Sequence, residues 1–216
     1  MFQLKLSIMN CWEDREKLKE LDSDTLISLL DNPNEETHVW AIIELGNRKE
    51  IRALDVLIKI LQNYEKDRNI ALYAAGALRD IGDRRAVEPL IAVMNEHFIS
   101  GPVVEALAEL RDNKALVPII QLFERTYHDP SLATVLGNWG DRRAVEPLIR
   151  AMSQPDSHVR FYAARALGKL GDKRALPVLE GARDNDTTPI TDTKSLRGKS
   201  VSYAAAKAIE KIKAAQ

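Results

Sequence analysis

The ten residues GDRRAVEPLI, Gly82–Ile91, recur letter for letter at Gly140–Ile149, and that recurrence decides how the chain is organised. Around them the same shape returns in looser form: an acid, any residue, a base, alanine, then an apolar run. It appears as Glu50-Ile51-Arg52-Ala53, Asp83-Arg84-Arg85-Ala86, Asp112-Asn113-Lys114-Ala115, Asp141-Arg142-Arg143-Ala144 and Asp172-Lys173-Arg174-Ala175. The alanine steps by 33, 29, 29 and 31 residues. A near-constant period of this length marks supersecondary units that stack on one another. Proline follows three residues after the alanine at Pro89, Pro118 and Pro147; Pro177 comes one residue early, and Val56 holds the place in the first unit.

Upstream residues repeat in the same register. Tyr73–Leu78 matches Tyr162–Leu167 and Trp40–Leu45, while Val103–Leu107 and Leu132–Leu136 fall in the same columns. Val201–Ile209 repeats Val159–Leu167 without a second half. Each unit therefore predicts two helices. The first carries an alanine-rich face and is expected to end near Gly46, Gly82, Gly140 or Gly171, where glycine supplies a left-handed terminus. The acid then caps free backbone N–H groups at the turn. The second helix places apolar residues at i, i+3, i+4 and i+7, as in Val87, Leu90, Ile91, Met94 and again in Val145, Leu148, Ile149, Met152. Its proline belongs to the first turns, where N–H groups have no intrahelical partner.

Gly82–Ile91, its copy at Gly140–Ile149 and the run Val159–Gly168 (VRFYAARALG) resemble HEAT-like repeats of the phycobilisome-lyase type. The resemblance covers about Asp24 to Ile212. It implies an all-α fold: a right-handed α-solenoid, or α-α superhelix, of about five two-helix repeats with terminal caps. The expected division is a lead-in and capping helix over 1–30, repeats over 31–182, a polar loop over 183–200 and a half-repeat cap over 201–216. The first repeat departs from the others by carrying Arg48 where they have Ile81, Leu110, Trp139 and Leu170.

Composition narrows the function classes. The chain has 216 residues, 31 Lys+Arg, 32 Asp+Glu and one cysteine. A net charge of −1 lacks the cationic surplus that phosphate neutralisation requires, which argues against nucleic acid as partner. A lone Cys11 forms no internal disulfide, and no apolar run reaches the length of a membrane span. A cytoplasmic location without membrane insertion is the expectation.

No catalytic constellation is found. His38, His97, His128 and His158 share no repeat column and no i, i+4 pair, no Cys–His pairing activates Cys11, and no glycine-rich phosphate loop follows a strand. No metal and no cofactor is expected. The acid–x–base turns occur in every unit, as capping and inter-repeat ion pairing require. Trp139 is expected in the core and Tyr73 and Tyr162 in core or inter-repeat packing, while the polar segment, whose threonines at 187, 188, 191 and 193 could accept phosphate, is expected to be a plain mobile loop.

The resemblance implies that second helices line the concave side of the solenoid. Removing their apolar columns leaves an exposed stripe that includes Asp55, Lys59, Glu88, Asn95, Gln121, Glu124, Glu146 and Arg150, four carboxylates against two cations. A second ridge, Arg84, Arg142 and Lys173, runs along one edge. The expected function is a non-enzymatic scaffold or adaptor that binds a protein or peptide on the concave stripe. The alternative that the resemblance implies is a subunit of a bilin lyase or isomerase, or a phycobilisome-associated factor, with a bilin chromoprotein as partner.

Overall fold

The structure, a computed structural model, describes residues 19–31, 35–96, 100–126, 129–190 and 198–215. Cys11, Trp12, His97, His128, Thr191 and Thr193 lie outside the described residues. Among the described residues there are twelve α-helices and no strand, only an isolated antiparallel bridge between Pro189 and Ser200.

The chain divides into two compact units, residues 1–115 and 116–216. The first holds α1 (Ser23–Ser28), α2 (Glu35–Asn47), α3 (Leu54–Gln62), α4 (Arg68–Ile81), α5 (Val87–Val93) and α6 (Ser100–Leu110). Helix α7 (Asn113–Thr126) runs across the division. The second unit continues with α8 (Pro130–Trp139), α9 (Val145–Ala151), α10 (Ser157–Leu170), α11 (Leu176–Asn185) and α12 (Val201–Ala214).

The repeated acid builds one turn in four of the five units. Glu50, Asp83, Asp141 and Asp172 each cap a short 3-10 turn by accepting the backbone N–H of the arginine two residues on. That arginine folds its guanidinium onto the same carboxylate, at 3.0 Å in Arg85–Asp83 and 2.9 Å in Arg143–Asp141. Acid and base are therefore spaced by two because one carboxylate serves both the main chain and the side chain of one residue. Hydrogen bonding from the arginine side chain is the largest cause holding Asp172 at about 2, below its ordinary 3.8, and it holds Glu50 at about 2 as well. In the third unit Asp112 accepts from Lys114 N–H at 3.0 Å, and the helix is continuous from Asn113. Pro118 consequently sits inside α7 rather than in its opening turn.

One expectation about this turn is corrected. The left-handed residue is always the one just before the acid: Lys49 (φ 53°), Gly82 (76°), Arg111 (49°), Gly140 (80°) and Gly171 (69°). Gly46 is not a helix terminus but lies within α2. Its function is close approach, since a Cβ there would stand 2.8 Å from the Cα of Ala77 on α4. Gly137 meets Ala166 and Gly168 meets Ala208 in the same way, each at 2.7 Å. First helices thus touch backbone to backbone, which is where the alanine-rich face is used.

The second helices bury Val87, Leu90 and Met94, and Val145, Leu148 and Met152, as the period predicts. Ile91 and Ile149 are only half-buried, and Val93 and Ala151 are buried instead, which turns the inward face by about one residue. Three aromatic residues fall short of full burial. Trp139 is half-buried, and Tyr73 is 44% exposed although Ala74 beside it is fully buried. Tyr162 is half-buried and its neighbour Phe161 takes the core position.

Two arginines tie non-helical chain to the helices. Arg48, the outlier of the first repeat, donates to the carbonyls of Leu21 and Lys19 at 2.6 and 2.7 Å while its Nε binds Glu44. It anchors the segment entering α1 where other repeats carry an apolar residue. Arg160 binds the Gln154 and Pro155 carbonyls and the Asp186 carboxylate, the last at 2.6 Å with both side chains largely buried. Burial alone would raise Asp186, but hydrogen bonds from Arg160 and Thr188 outweigh it and leave the group below its ordinary value. Beyond α11, Ile190 N–H donates to Lys199 C=O and Val201 N–H to Thr188 C=O, so the two ends of the polar segment are hydrogen-bonded to each other.

Candidate functional site

The stripe residues of the second helices are solvent-facing. In the first unit Asp55, Lys59, Glu88 and Asn95 are exposed; in the second Gln121, Glu146 and Arg150 are exposed and Glu124 is half-buried. The edge residues Arg84, Arg142 and Lys173 are exposed too.

Their charges are largely spent inside the fold. Lys114 reaches back to Glu88 at 2.9 Å, Arg174 to Glu146 at 3.3 Å, and Arg52 to Asp24 at 2.7 Å. Asp55 attracts Arg85 by the same route. Arg52, Arg85, Lys114 and Arg174 therefore each attract a carboxylate one repeat earlier, and Glu124 and Arg150 form a further pair. Val117 takes the place of the earlier carboxylate ahead of Arg143 and is 43% exposed. The surplus of acid counted from sequence is thus mostly neutralised. Exposed pairs of this kind contribute about 0–1 kcal/mol each, so their effect is on register more than stability.

Beside the stripe in the second unit lies an open cleft of ≈ 520 Å³ whose lining residues come from the Met152–Gln154 turn, from α10 through Arg160, and from α11 and Asp186 just after it. Gly181 occupies the stripe column that holds Arg150 one repeat earlier, and a Cβ added to it would meet nothing within 4 Å. The missing side chain leaves Met152, Ser153, Val178 and Ala182 on the cleft walls, with the Arg160–Asp186 pair among the lining residues.

A second groove, of ≈ 320 Å³, lies in the same unit between the first helices α10 and α12. Arg165, Lys169, Lys199, Lys207 and Lys211 line it together with Phe161, Tyr203, Ala204 and Ala208, and no carboxylate lines it. Sequence reasoning did not find it, because the exposed stripe it predicts belongs to second helices and this groove lies on first helices. The signal was present: Val159 and Val201 share a column, which puts Arg165 level with Lys207 and Lys169 level with Lys211.

Among the described residues no group of three or more His, Cys, Asp or Glu is placed to hold a metal ion. Burial pushes His38 below its ordinary 6.5, against the pull of Asp67 and Asp31. Among the described residues no helix is long and apolar enough to cross a membrane.

Comparison with known proteins agrees with this architecture. A model of HEAT repeats matches residues 23–100 and 131–198. Among solved structures, the complex of CpcE and CpcF of phycocyanin lyase from Nostoc sp. PCC7120 is similar at TM-score 0.59 and 24% identity, over 76% of this chain and 71% of that one. An engineered protein is similar at TM-score 0.58 and 22% identity, over 90% and 97%. A computationally designed armadillo repeat protein for modular peptide recognition follows at TM-score 0.53 and 17% identity, over 88% and 99%. At these identities the likeness is one of fold. No curated protein matches the chain by sequence.

Proposed function

We propose a function from a plain premise: this chain belongs to the HEAT repeat family. It is a non-enzymatic scaffold that binds a protein or peptide on the exposed face of its second helices. The observation that carries this reading is the cleft at Gly181, where the repeated stripe opens into a space walled by Met152, Val178 and Ala182 with the Arg160–Asp186 pair among its lining. Helical repeats present such faces as extended binding surfaces, with affinity concentrated where side chains of a partner fill a pocket. Because the stripe acids pair with cations of the same unit, recognition here depends on shape and hydrogen bonding more than on net charge.

Gly181→Arg tests the reading. The substitution removes a helical glycine and projects a long side chain into the cleft, so the fold is retained or stabilised by about 1 kcal/mol. Affinity capture with the wild-type chain is expected to recover a protein that the variant does not. Identical recoveries would move the binding face elsewhere. Recovery of a phycobiliprotein would turn the reading toward the bilin-lyase alternative.

A further inference from the structure

We propose that the groove between α10 and α12 is a second binding site, for an acidic, carboxylate-rich peptide segment of a partner protein. It lies on first helices and stands independently of the second-helix face. Five cations line it: Arg165 and Lys169 from α10, Lys207 and Lys211 from α12, and Lys199 from the residues just before α12. Arg165, Lys169, Lys207 and Lys211 are all exposed. Among the described residues their internal partners are few. Lys207 binds Glu210 at 2.7 Å, and Lys169 donates to the neutral Asn138. Positive charge is therefore in excess within one small concave space, where the field of like charges adds.

The aromatic residues of the groove brace the cations. Arg165 stands 5.8 Å from the Phe161 ring centre and 5.6 Å from that of Tyr162, and Lys199 stands 5.9 Å from that of Tyr203. Rings so occupied are not successive platforms for nucleobase stacking, on which single-strand binding depends. A groove of ≈ 320 Å³ also falls short of a track for several nucleotides.

Spacing fits an extended peptide. Arg165 and Lys169 are one helical turn apart, as are Lys207 and Lys211, which separates each pair by about 6 Å along its helix. Alternate side chains of an extended strand recur every ~6.6–7 Å on one side. Two rows of ammonium or guanidinium groups one turn deep thus match carboxylates at every second residue of the guest. Four of the five cations are lysines, which accept dispersed carboxylates as point charges and do not impose a bidentate geometry. The first helices of the other unit supply no equivalent, since the same columns there hold Gly76, Asp80, Glu105 and Glu109.

The test is fluorescence anisotropy of the full chain with a labelled hexaglutamate peptide at low and moderate salt. Binding is expected, weakening as salt rises. Lys207→Glu with Lys211→Glu is expected to weaken it about tenfold or more. Arg165→Gln with Lys211→Gln, a milder pair at exposed positions, should weaken it in the same direction, with helicity by circular dichroism confirming the fold. Lys173→Glu on the edge and Gly181→Arg in the cleft should leave it unchanged, which separates this site from the scaffold face. Absence of binding overturns the proposal. So does tighter binding of an oligothymidylate that follows the same variants, since that would make the site one for nucleic acid. Self-association abolished by the Lys207 and Lys211 substitutions, with no capture of hexaglutamate, would equally overturn it in favour of a second copy of the chain.

Discussion

Helices α4 and α6 of the first unit and helices α10 and α12 of the second are paired first helices built on the same repeat, yet they present opposite chemistry. One register position explains the contrast. In α10 it is Gly168, whose missing side chain lets the backbone of Ala208 come to the point where a Cβ would stand, 2.7 Å away. In α4 it is Arg79, which binds Asp80 at 2.9 Å and approaches Glu105 to 3.9 Å. The glycine closes two cationic helices on one another; the arginine links α4 to Glu105 of α6, a helix that carries two glutamates and no cation. A repeat dictates where side chains point, and single substitutions within a column decide whether neighbouring helices are joined by contact or by charge.

The largest way to break that contrast is Gly168→Ala. The added methyl collides with main chain and not with a flexible side-chain end, and overpacking of this kind costs about 1–3 kcal/mol. Up to about 1 kcal/mol of that is offset by improved helix propensity. A lowered urea midpoint is the expected result, accompanied by weaker hexaglutamate binding as α12 moves away from α10. A midpoint equal to or above wild type would show that α10 and α12 do not meet as closely as Gly168 allows.

The next effect belongs to the turns that the two units share. Asp172→Ala removes both the cap on Arg174 N–H and the carboxylate under its guanidinium, at a cost of about 0.5–2 kcal/mol. The pH dependence follows with a definite sign. Asp172 is held at about 2 in the folded chain against an ordinary 3.8, so its stabilisation is complete above the unfolded value and is lost as pH falls from there toward about 2. Glu50, in the first unit, loses its share from 4.5 toward about 2. Denaturant titrations of the Asp172→Ala chain should therefore show a shallower decline than wild type through that window. Parallel curves would mean the carboxylate is not the titrating element.

The smallest effect sharpens the comparison at the start of the chain. Lys49 holds at φ 53° the place that glycine holds before Asp83, Asp141 and Asp172. Lys49→Gly is expected to raise stability by about 0.5–1 kcal/mol, because the left-handed conformation strains a residue with a Cβ. A loss of stability would show that the lysine side chain makes a contact worth more than the strain.

Much of this molecule was legible from one dimension. The period placed the helices, because every unit repeats the same acid, base, alanine and apolar columns and cannot bury its face alone. The capping acids were legible for the same reason: a carboxylate two residues before an arginine at a helix start has an N–H to accept. Gly46 was misplaced because a glycine near a helix end looks the same whether it frees φ or clears space for Ala77; only the neighbouring helix distinguishes the two. The stripe residues other than the half-buried Glu124 are exposed as expected, but their pairing, Glu88 with Lys114 and Glu146 with Arg174, joins groups more than 25 residues apart and depends on how one hairpin stacks on the next. The same holds for the basic groove. Arg165 and Lys169 are a common surface pair on a helix; they become one side of a site only when α12 brings Lys207 and Lys211 alongside. Local chemistry, repeated, was enough to determine the helices and their turns. Which charges cancel and which accumulate was decided by the stacking, because electrostatic interaction falls with distance through space and takes no account of separation along the chain.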